Sequence, residues 1–389
     1  MKRIPMLDLK CEYEYMKEDI DSAIRTCLEH QKWILGPEVK ELENKIAEYN
    51  GVNHCIGVSS GTEALVLSLR ALAIKSKRQE YFNRKDEIIT TPFTFTATGD
   101  AILRAGATPV FVDIDPTTYN IDPDQIMGYL TKNPGNVVGI LPVHLYGQPC
   151  RMEEIIDIAQ EYDLFIVEDV AQAFGGVWKN RKLGSIGDAN TFSFFPSKNL
   201  GGFGDGGMIS TNDDKISELV RMLLKHGGKD KYNVDHIGYN ARLDTLQAAV
   251  LLAKFRYIDE FNEKRGRIAD IYNEKLSGIN GIVLPLNDDL STETGELRHV
   301  YHQYTIRVKD GKRDELQGYL KENGISTMLY YPTPLHKMKV FEDRSKVYGD
   351  LINTEQAAKE VLSLPVEPLQ DKKDTVSVID KIKGFEQEI

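Results

Sequence analysis

Between residues 54 and 211 the chain repeats one unit: a short, nearly unbroken apolar run, then a helical stretch. The runs are HCIGVS (54–59), EIITT (87–91), TPVFVD (108–113), VVGILPV (137–143) and LFIVED (164–169). Helical patterning fills 62–73, 96–105, 123–131 and 151–161 between them. Strands this short and this apolar need burial on both faces. A mostly parallel sheet with helices packed on either side provides it. After an irregular loop, TFSFF (191–195) and GMIST (207–211) bring the expected sheet to seven strands.

The pattern differs at both ends. Two polar, amphipathic helices are expected over 13–30 and 37–49, punctuated by Gly36 and by Pro37, which suits a first helical position. Residues 241–276 form one proline-free helical stretch, read as a connecting helix with a kink left open. Beyond it, YHQYTIRV (301–308) and ISTMLYYP (325–332) read as strands, with helices near 312–323, 353–363 and 371–385. The expectation is an α/β protein in two parts. Residues 1–255 make a large sheet domain with N-terminal helices, and 256–389 a smaller α+β domain. KSKRQEYFNRKD (75–86) reads as a solvated, charged connection.

Brändén's rule sends ligands to the carboxyl ends of parallel strands, so the polar residues there carry the chemistry. Lys198 follows the apolar run FSFFP and precedes NLGGFGDGG, which draws its backbone inward. A buried lysine sheds its proton readily, which suits imine formation. Asp169 ends the strand 29 positions upstream. A lysine and an acid, each at the end of a short buried strand, suggest pyridoxal phosphate, which needs an amine to hold it and a carboxylate to keep its ring nitrogen protonated. Strand parity leaves open which of Glu168 and Asp169 faces inward, and Asp169 alone also reads as a helix N-cap. Gln172 lies within reach of the same site. Ser59, Ser60, Gly61 and Thr62 open a helix after a strand, where free amides and the helix dipole favour a phosphate, although for this motif alone ordinary capping by Ser60 or Thr62 is the commoner reading. Ser193 adds a hydroxyl near Lys198.

Gly202, Gly204 and Gly207 match G-x-G-x-x-G, but they lead into a strand rather than a helix, which argues against dinucleotide binding. His144, His302 and His336 each read as structural or catalytic, and no histidine or cysteine spacing suggests a metal. A net charge of −11 argues against a nucleic-acid or anionic-membrane surface. Four scattered cysteines read as reduced thiols, and no apolar run approaches a membrane span. With no apolar signal core at the start, a cytoplasmic protein is expected.

The chain resembles the DegT-like sugar-nucleotide aminotransferases, a branch of the fold-type I pyridoxal-phosphate enzymes. The resemblance runs nearly end to end, through ILGPEVKELE, SSGTEAL, PFTFTATGDAILRAGATPVFVDID, PVHLYGQP, VEDVAQAFG, FSFFPSKNLGGFGDGG, GYNARLDTLQAA and YYPTPLH. It implies that Lys198 holds the cofactor as an imine and moves protons, with Asp169 on the ring nitrogen and Gln172 at the phenolic oxygen. Ser60, Gly61, Thr62 and Ser193 would hold the phosphate, and Phe95 would stack on the ring. Asn240 would reach the phosphate of a partner subunit, making the active unit a homodimer with sites at its interface. Arg242, Tyr331 and His336 would lie near the substrate. The implied reaction moves an amino group from L-glutamate, through pyridoxamine phosphate, to a nucleotide-linked keto-sugar. The overall flavour favours 3-keto over 4-keto, for amino-sugar or surface polysaccharide synthesis. Rivals are a sugar dehydratase, which carries histidine where this chain has Lys198, another type of pyridoxal-phosphate enzyme, and a non-enzymatic regulator of the same fold. Relative to the family, 75–86 reads as a surface insertion, and 226–239 falls where such enzymes vary.

Overall fold

The computed structural model describes residues 3–133, 135–230, 232–285 and 296–387. Helices α1 (Leu9–His30) and α2 (Pro37–Asn50) open the chain. The Asp8 carboxylate caps α1 by accepting the Cys11 amide. Strands β1 (His54–Val58), β2 (Glu87–Thr90), β3 (Thr108–Phe111), β4 (Val137–Ile140) and β5 (Phe165–Asp169) follow. They alternate with α3 (Gly61–Leu72), α4 (Thr96–Arg104), α5 (Pro123–Lys132) and α6 (Met152–Glu161). The two-residue strands β6 (Val177–Trp178) and β7 (Arg181–Lys182) precede β8 (Ala189–Ser193) and β9 (Gly207–Thr211).

The main sheet runs β1-β9-β8-β5-β4-β2-β3, with β9 antiparallel to both neighbours and the other pairs parallel. These are the seven expected strands. Helices α3 and α4, with α7 (Asp214–Leu223), cover one face, and Leu65, Leu69, Ile102 and Leu223 pack there against Ile56, Val167 and Ile209. On the other face α5 and α6 bring Ile126, Leu130, Ile155 and Ile158 onto Ile89, Val110 and Ile140. Burial on both faces explains why these strands are apolar throughout.

The expected connecting helix is two helices, α8 (Thr245–Phe255) and α9 (Ile258–Leu276), broken at Arg256 and Tyr257. After them come β10 (Ile282–Val283), β11 (Leu297–Arg298), β12 (Tyr304–Val308), α10 (Arg313–Glu322), β13 (Lys346–Val347), α11 (Ile352–Glu360), β14 (Val361–Leu364) and α12 (Lys372–Gln387). β13 joins the main sheet beside β3 as an eighth strand, where Lys346 Nζ lies 2.5 Å from the buried Glu87 carboxylate.

A second sheet runs β10-β12-β14. The stretch 325–332, expected as a strand, makes only isolated bridges, Ile325 to Ile4 and Met328 to Ser363. Its place is taken by β14, which was expected to end a helix. All four β14 residues are buried, and four consecutive buried residues suit a covered strand better than the end of a surface helix. Tyr272, Tyr304, Leu316, Leu364 and Ile379 form the core here, and Ile4 from the start of the chain packs into it. Leu335 and Phe341, in contrast, pack against Phe111 of β3.

The 75–86 connection is anchored rather than simply solvated. Phe82 enters the main core. The fully buried Arg70 guanidinium donates to Glu80 Oε2 at 2.9 Å, Tyr239 Oη at 2.8 Å and the Ile237 carbonyl at 3.0 Å. It also lies 3.7 Å from the Tyr81 ring centre, a cation–π contact. Glu80 Oε1 meets His236 Nδ1 at 2.7 Å. The insertion therefore braces the 226–239 segment.

Candidate active site

Strand β5 delivers Glu168 and Asp169 to opposite faces of the sheet, as the two-residue period of a strand requires. Glu168 is fully buried. It accepts from His144 Nε2 at 3.0 Å and from the amides of Gly184 (3.1 Å), Ile186 (2.7 Å) and Gly187 (2.9 Å). His144 Nδ1 accepts the Cys150 amide at 3.0 Å, so the ring proton sits on Nε2 and goes to Glu168. Burial would raise the Glu168 pKa, but the His144 bond and these amides hold it below the usual carboxylate range. His144 thus serves a structural pair.

Asp169 faces Lys198. Its Oδ1 accepts the Ala171 amide at 3.1 Å and its Oδ2 the Thr98 hydroxyl at 3.1 Å. Burial lifts its pKa above the ordinary value, against the pull of Ala171 and Lys198. Lys198 sits in a turn after β8, its amide bonded to the Phe195 carbonyl at 2.8 Å. Desolvation pushes its pKa down to about 8, and the field of Asp169 opposes the drop. An amine in this range is partly free base near neutral pH.

Gln172 follows on the same loop. Its Oε1 accepts the Tyr146 amide at 2.7 Å, and its Nε2 donates to Tyr331 Oη at 2.9 Å. Phe95 is 56% exposed, with its ring centre 6.3 Å from that of Tyr331. His302 is buried near Lys198. Asn262 Nδ2 donates to the Phe174 carbonyl at 3.0 Å, and Asn199 Nδ2 donates to Asn262 Oδ1 at 2.7 Å and the Val300 carbonyl at 3.2 Å. Asn199 Oδ1 is therefore an acceptor, and His302 Nδ1, 3.1 Å away, carries the hydrogen. Burial, with Lys198 and Arg265 nearby, keeps this imidazole neutral.

The anion cradle lies at the start of α3. Ser60 caps the helix by accepting the Glu63 amide at 3.1 Å. The helical ladder begins with Ala64 N to Ser60 O, so the amides of Gly61 and Thr62 lie ahead of it. A Cβ on Gly61 would meet Ser193 Cβ at 2.7 Å, and one on Gly207 would meet the Ser60 carbonyl at 2.4 Å. Only glycines allow this close packing of the cradle on β8 and β9. Ser59 N donates to Ala241 O at 2.9 Å, which brings the Asn240–Arg242 segment alongside. Arg242 shares a cavity of about 360 Å³ with Ser59, Ser60, Asp205, Asp244 and Gln247. Asn240 is exposed, with Arg242 on its amide oxygen.

His336 pairs with Glu355 Oε1 at 2.8 Å, while its Nδ1 is buried without a partner. The Leu335 amide, on the Pro92 carbonyl at 2.9 Å, holds this turn against the β2–α4 rim. Thr98 and the Tyr146 amide are site groups that sequence reading missed. Thr98 could have been found from its place in the first turn of the helix after Phe95. A backbone amide carries no such signal. Away from the site, Cys27, His30 and Glu38 come within 4.8 Å of one another. His30 Nδ1 accepts the Lys32 amide, however, so Nε2 carries the hydrogen and donates to Glu38 at 2.7 Å, which describes a hydrogen-bonded pair rather than a metal ligand.

A lysine with a loosened proton faces a buried acid at the carboxyl edge of a parallel sheet, beside a glycine-lined helix start. That combination, on this fold, defines the class of fold-type I pyridoxal-phosphate enzymes. Residues 14–383 match the DegT/DnrJ/EryC1/StrS aminotransferase family, and the chain belongs to it. It is 45% identical over 98% of its length to a Geobacillus stearothermophilus protein named a pleiotropic regulatory protein, 98% of which is covered. It is 40% identical to the UDP-N-acetyl-3-dehydro-alpha-D-glucosamine 3-aminotransferase of Acidithiobacillus ferrooxidans, over 94% of this chain and 93% of that one. The crystal structure of NtdA from Bacillus subtilis, with bound cofactor PMP, superposes with a TM-score of 0.88 at 31% identity, covering 100% of this chain and 86% of that one. Among the described residues, no helix is long and apolar enough to cross a membrane.

Proposed function

We propose that this chain transfers an amino group from L-glutamate to a nucleotide-linked keto-sugar, using pyridoxal phosphate held at Lys198, with a 3-keto sugar favoured over a 4-keto one. The observation that carries the reading is Lys198, buried, its pKa pushed down to about 8, and within the field of the buried Asp169. The cofactor supplies an aldehyde carbon that takes the amine and a protonated ring that draws electrons from the substrate. Asp169 would hold the proton on the ring nitrogen, positioned by the Ala171 amide and the Thr98 hydroxyl. Lys198 Nζ, once released, would take the proton from the α-carbon of glutamate and deliver it to the cofactor carbon that had carried the aldehyde. Water supplies the keto oxygen as glutamate leaves as 2-oxoglutarate, and the keto oxygen of the sugar leaves as water in the second half, so no water is consumed overall. Gly61, Thr62, Ser60 and Ser193 would hold the phosphate, and Phe95 would cover the ring.

In this reading the enzyme works in the cytoplasm as a homodimer, in which Asn240 reaches the partner's phosphate site. Arg242 and His336 lie toward the nucleotide sugar, and the chain divides near residue 255 into a cofactor domain and a smaller one. The names of the family's sugar transaminases support the substrate class. The relative named as a regulator favours a second, non-enzymatic reading, which the retained Lys198, Asp169 and Gln172 disfavour.

The test is turnover with glutamate against a panel of 3-keto and 4-keto nucleotide sugars. Wild type should load with cofactor, turn yellow, bleach with glutamate and prefer a 3-keto sugar. Lys198→Ala should abolish turnover, and an undiminished rate in that variant refutes the mechanism.

A further inference from the structure

The hydrogen-bond directions around Gln172 carry one step more. Its Oε1 accepts from a backbone amide, that of Tyr146, at 2.7 Å, which fixes the orientation of the side-chain amide. Tyr146 is held left-handed, with φ 59° and ψ 2°, a backbone state a non-glycine residue adopts only under surrounding constraint. Its hydroxyl donates in turn to the Tyr330 carbonyl, so one residue anchors both Gln172 and the Tyr330–Tyr331 segment.

With Oε1 engaged, one Nε2 hydrogen goes to Tyr331 Oη at 2.9 Å and the second stays available. Tyr331 accepts that bond, which turns its own O–H away from Gln172. Two donor atoms only 2.9 Å apart can both reach a single acceptor. Burial, and behind it the charge of Asp169, raise the Tyr331 pKa well above its ordinary value, so the hydroxyl keeps its proton. Two donors converging on one point suit an oxygen carrying full negative charge, since hydrogen bonds to ions are the stronger ones. Phe95 stands 6.3 Å from Tyr331, centre to centre, so that oxygen would belong to the ring Phe95 covers.

We propose that Tyr331 is a catalytic residue that donates its hydroxyl hydrogen to the phenolic oxygen of the bound cofactor, with Gln172 as both second donor and orienting group. This moves Tyr331 from the sugar side of the site to the cofactor's edge, and it rests on the pyridoxal-phosphate reading above. A donor on the phenolic oxygen stabilises its anion and so lowers the proton affinity of the ring–lysine unit. Its loss raises that affinity.

The experiment is a pH titration of the visible absorbance of the full-length, cofactor-loaded protein, without substrate. A hydrogen bond to a charged oxygen converts to ~1–2 pH units. Tyr331→Phe should raise the absorbance midpoint by that amount. Gln172→Leu should shift it in the same direction, and the double variant by less than the sum, because Gln172 orients Tyr331. Tyr331→Phe removes one oxygen, and wild-type circular dichroism will establish that it folds. A loaded variant that keeps the wild-type midpoint overturns this inference alone. Wild type that takes up no cofactor overturns the function and the inference together.

Discussion

Glu168→Gln should destabilise the fold far more than so small a change suggests. The substitution keeps shape and volume and replaces one acceptor oxygen by an NH₂ group. In one orientation that group meets His144 Nε2–H and the Gly184 amide, at contacts now 3.0 and 3.1 Å long. In the other it meets the amides of Ile186 and Gly187, at 2.7 and 2.9 Å. His144 cannot relieve the first clash by moving its proton, because Nδ1 already accepts the Cys150 amide. In the second, Gly187 keeps Asn190 Oδ1 at 2.9 Å as an alternative acceptor and Ile186 loses its partner. One or two buried donors are left unsatisfied either way, at roughly 1–3 kcal/mol each. The expected loss is about 2–5 kcal/mol.

Urea unfolding of the cofactor-free protein measures it, since bound ligand would mask part of the loss. Because Glu168 and Asp169 point to opposite faces, the Lys198 midpoint near pH 8 should stay in place in the same variant. A loss below about 1 kcal/mol would refute the proton assignment on His144 and with it the account of Glu168 as a four-donor acceptor.

Lys198 in the cofactor-free protein should capture added pyridoxal phosphate at a rate that rises with pH through a midpoint of about 8, read by stopped-flow absorbance. Below that midpoint the ammonium form dominates and capture slows. Asp169→Asn removes the charge that favours the ammonium, so its capture midpoint should fall below that of wild type; a rise would contradict the assigned field. Gly175→Ala combines a φ of 86° with a Cβ only 2.6 Å from Asn262 Nδ2. It should cost about 1–3 kcal/mol in urea unfolding, and the cofactor-free Lys198 midpoint should shift as the Asn262–Asn199–His302 chain is displaced.

The parts of this molecule legible in its sequence are those set by local pattern. Short apolar runs announce the seven strands because burial on both faces leaves no polar alternation to write. Lys198 and Asp169 stand out because polar residues directly after such runs must lie at strand ends. Long-range pairing escapes this logic. Glu168 and Asp169 are both buried, so burial cannot tell their faces apart; the partners do, and His144 lies 24 positions away from Glu168. Arg70 and Ile237 meet across 167 positions, which is why the 75–86 connection reads as loose charge until Arg70 and Glu80 are found bonded together beneath the neighbouring segment. β14 was obscured by a helix that runs directly into it. The Tyr146 amide is the extreme case, since every residue but proline carries the same donor. What makes this one matter is a left-handed turn that aims it at Gln172, and that aim decides where the hydrogen of Tyr331 points. The least legible group in the chain thereby sets the orientation of two side chains that the sequence did single out.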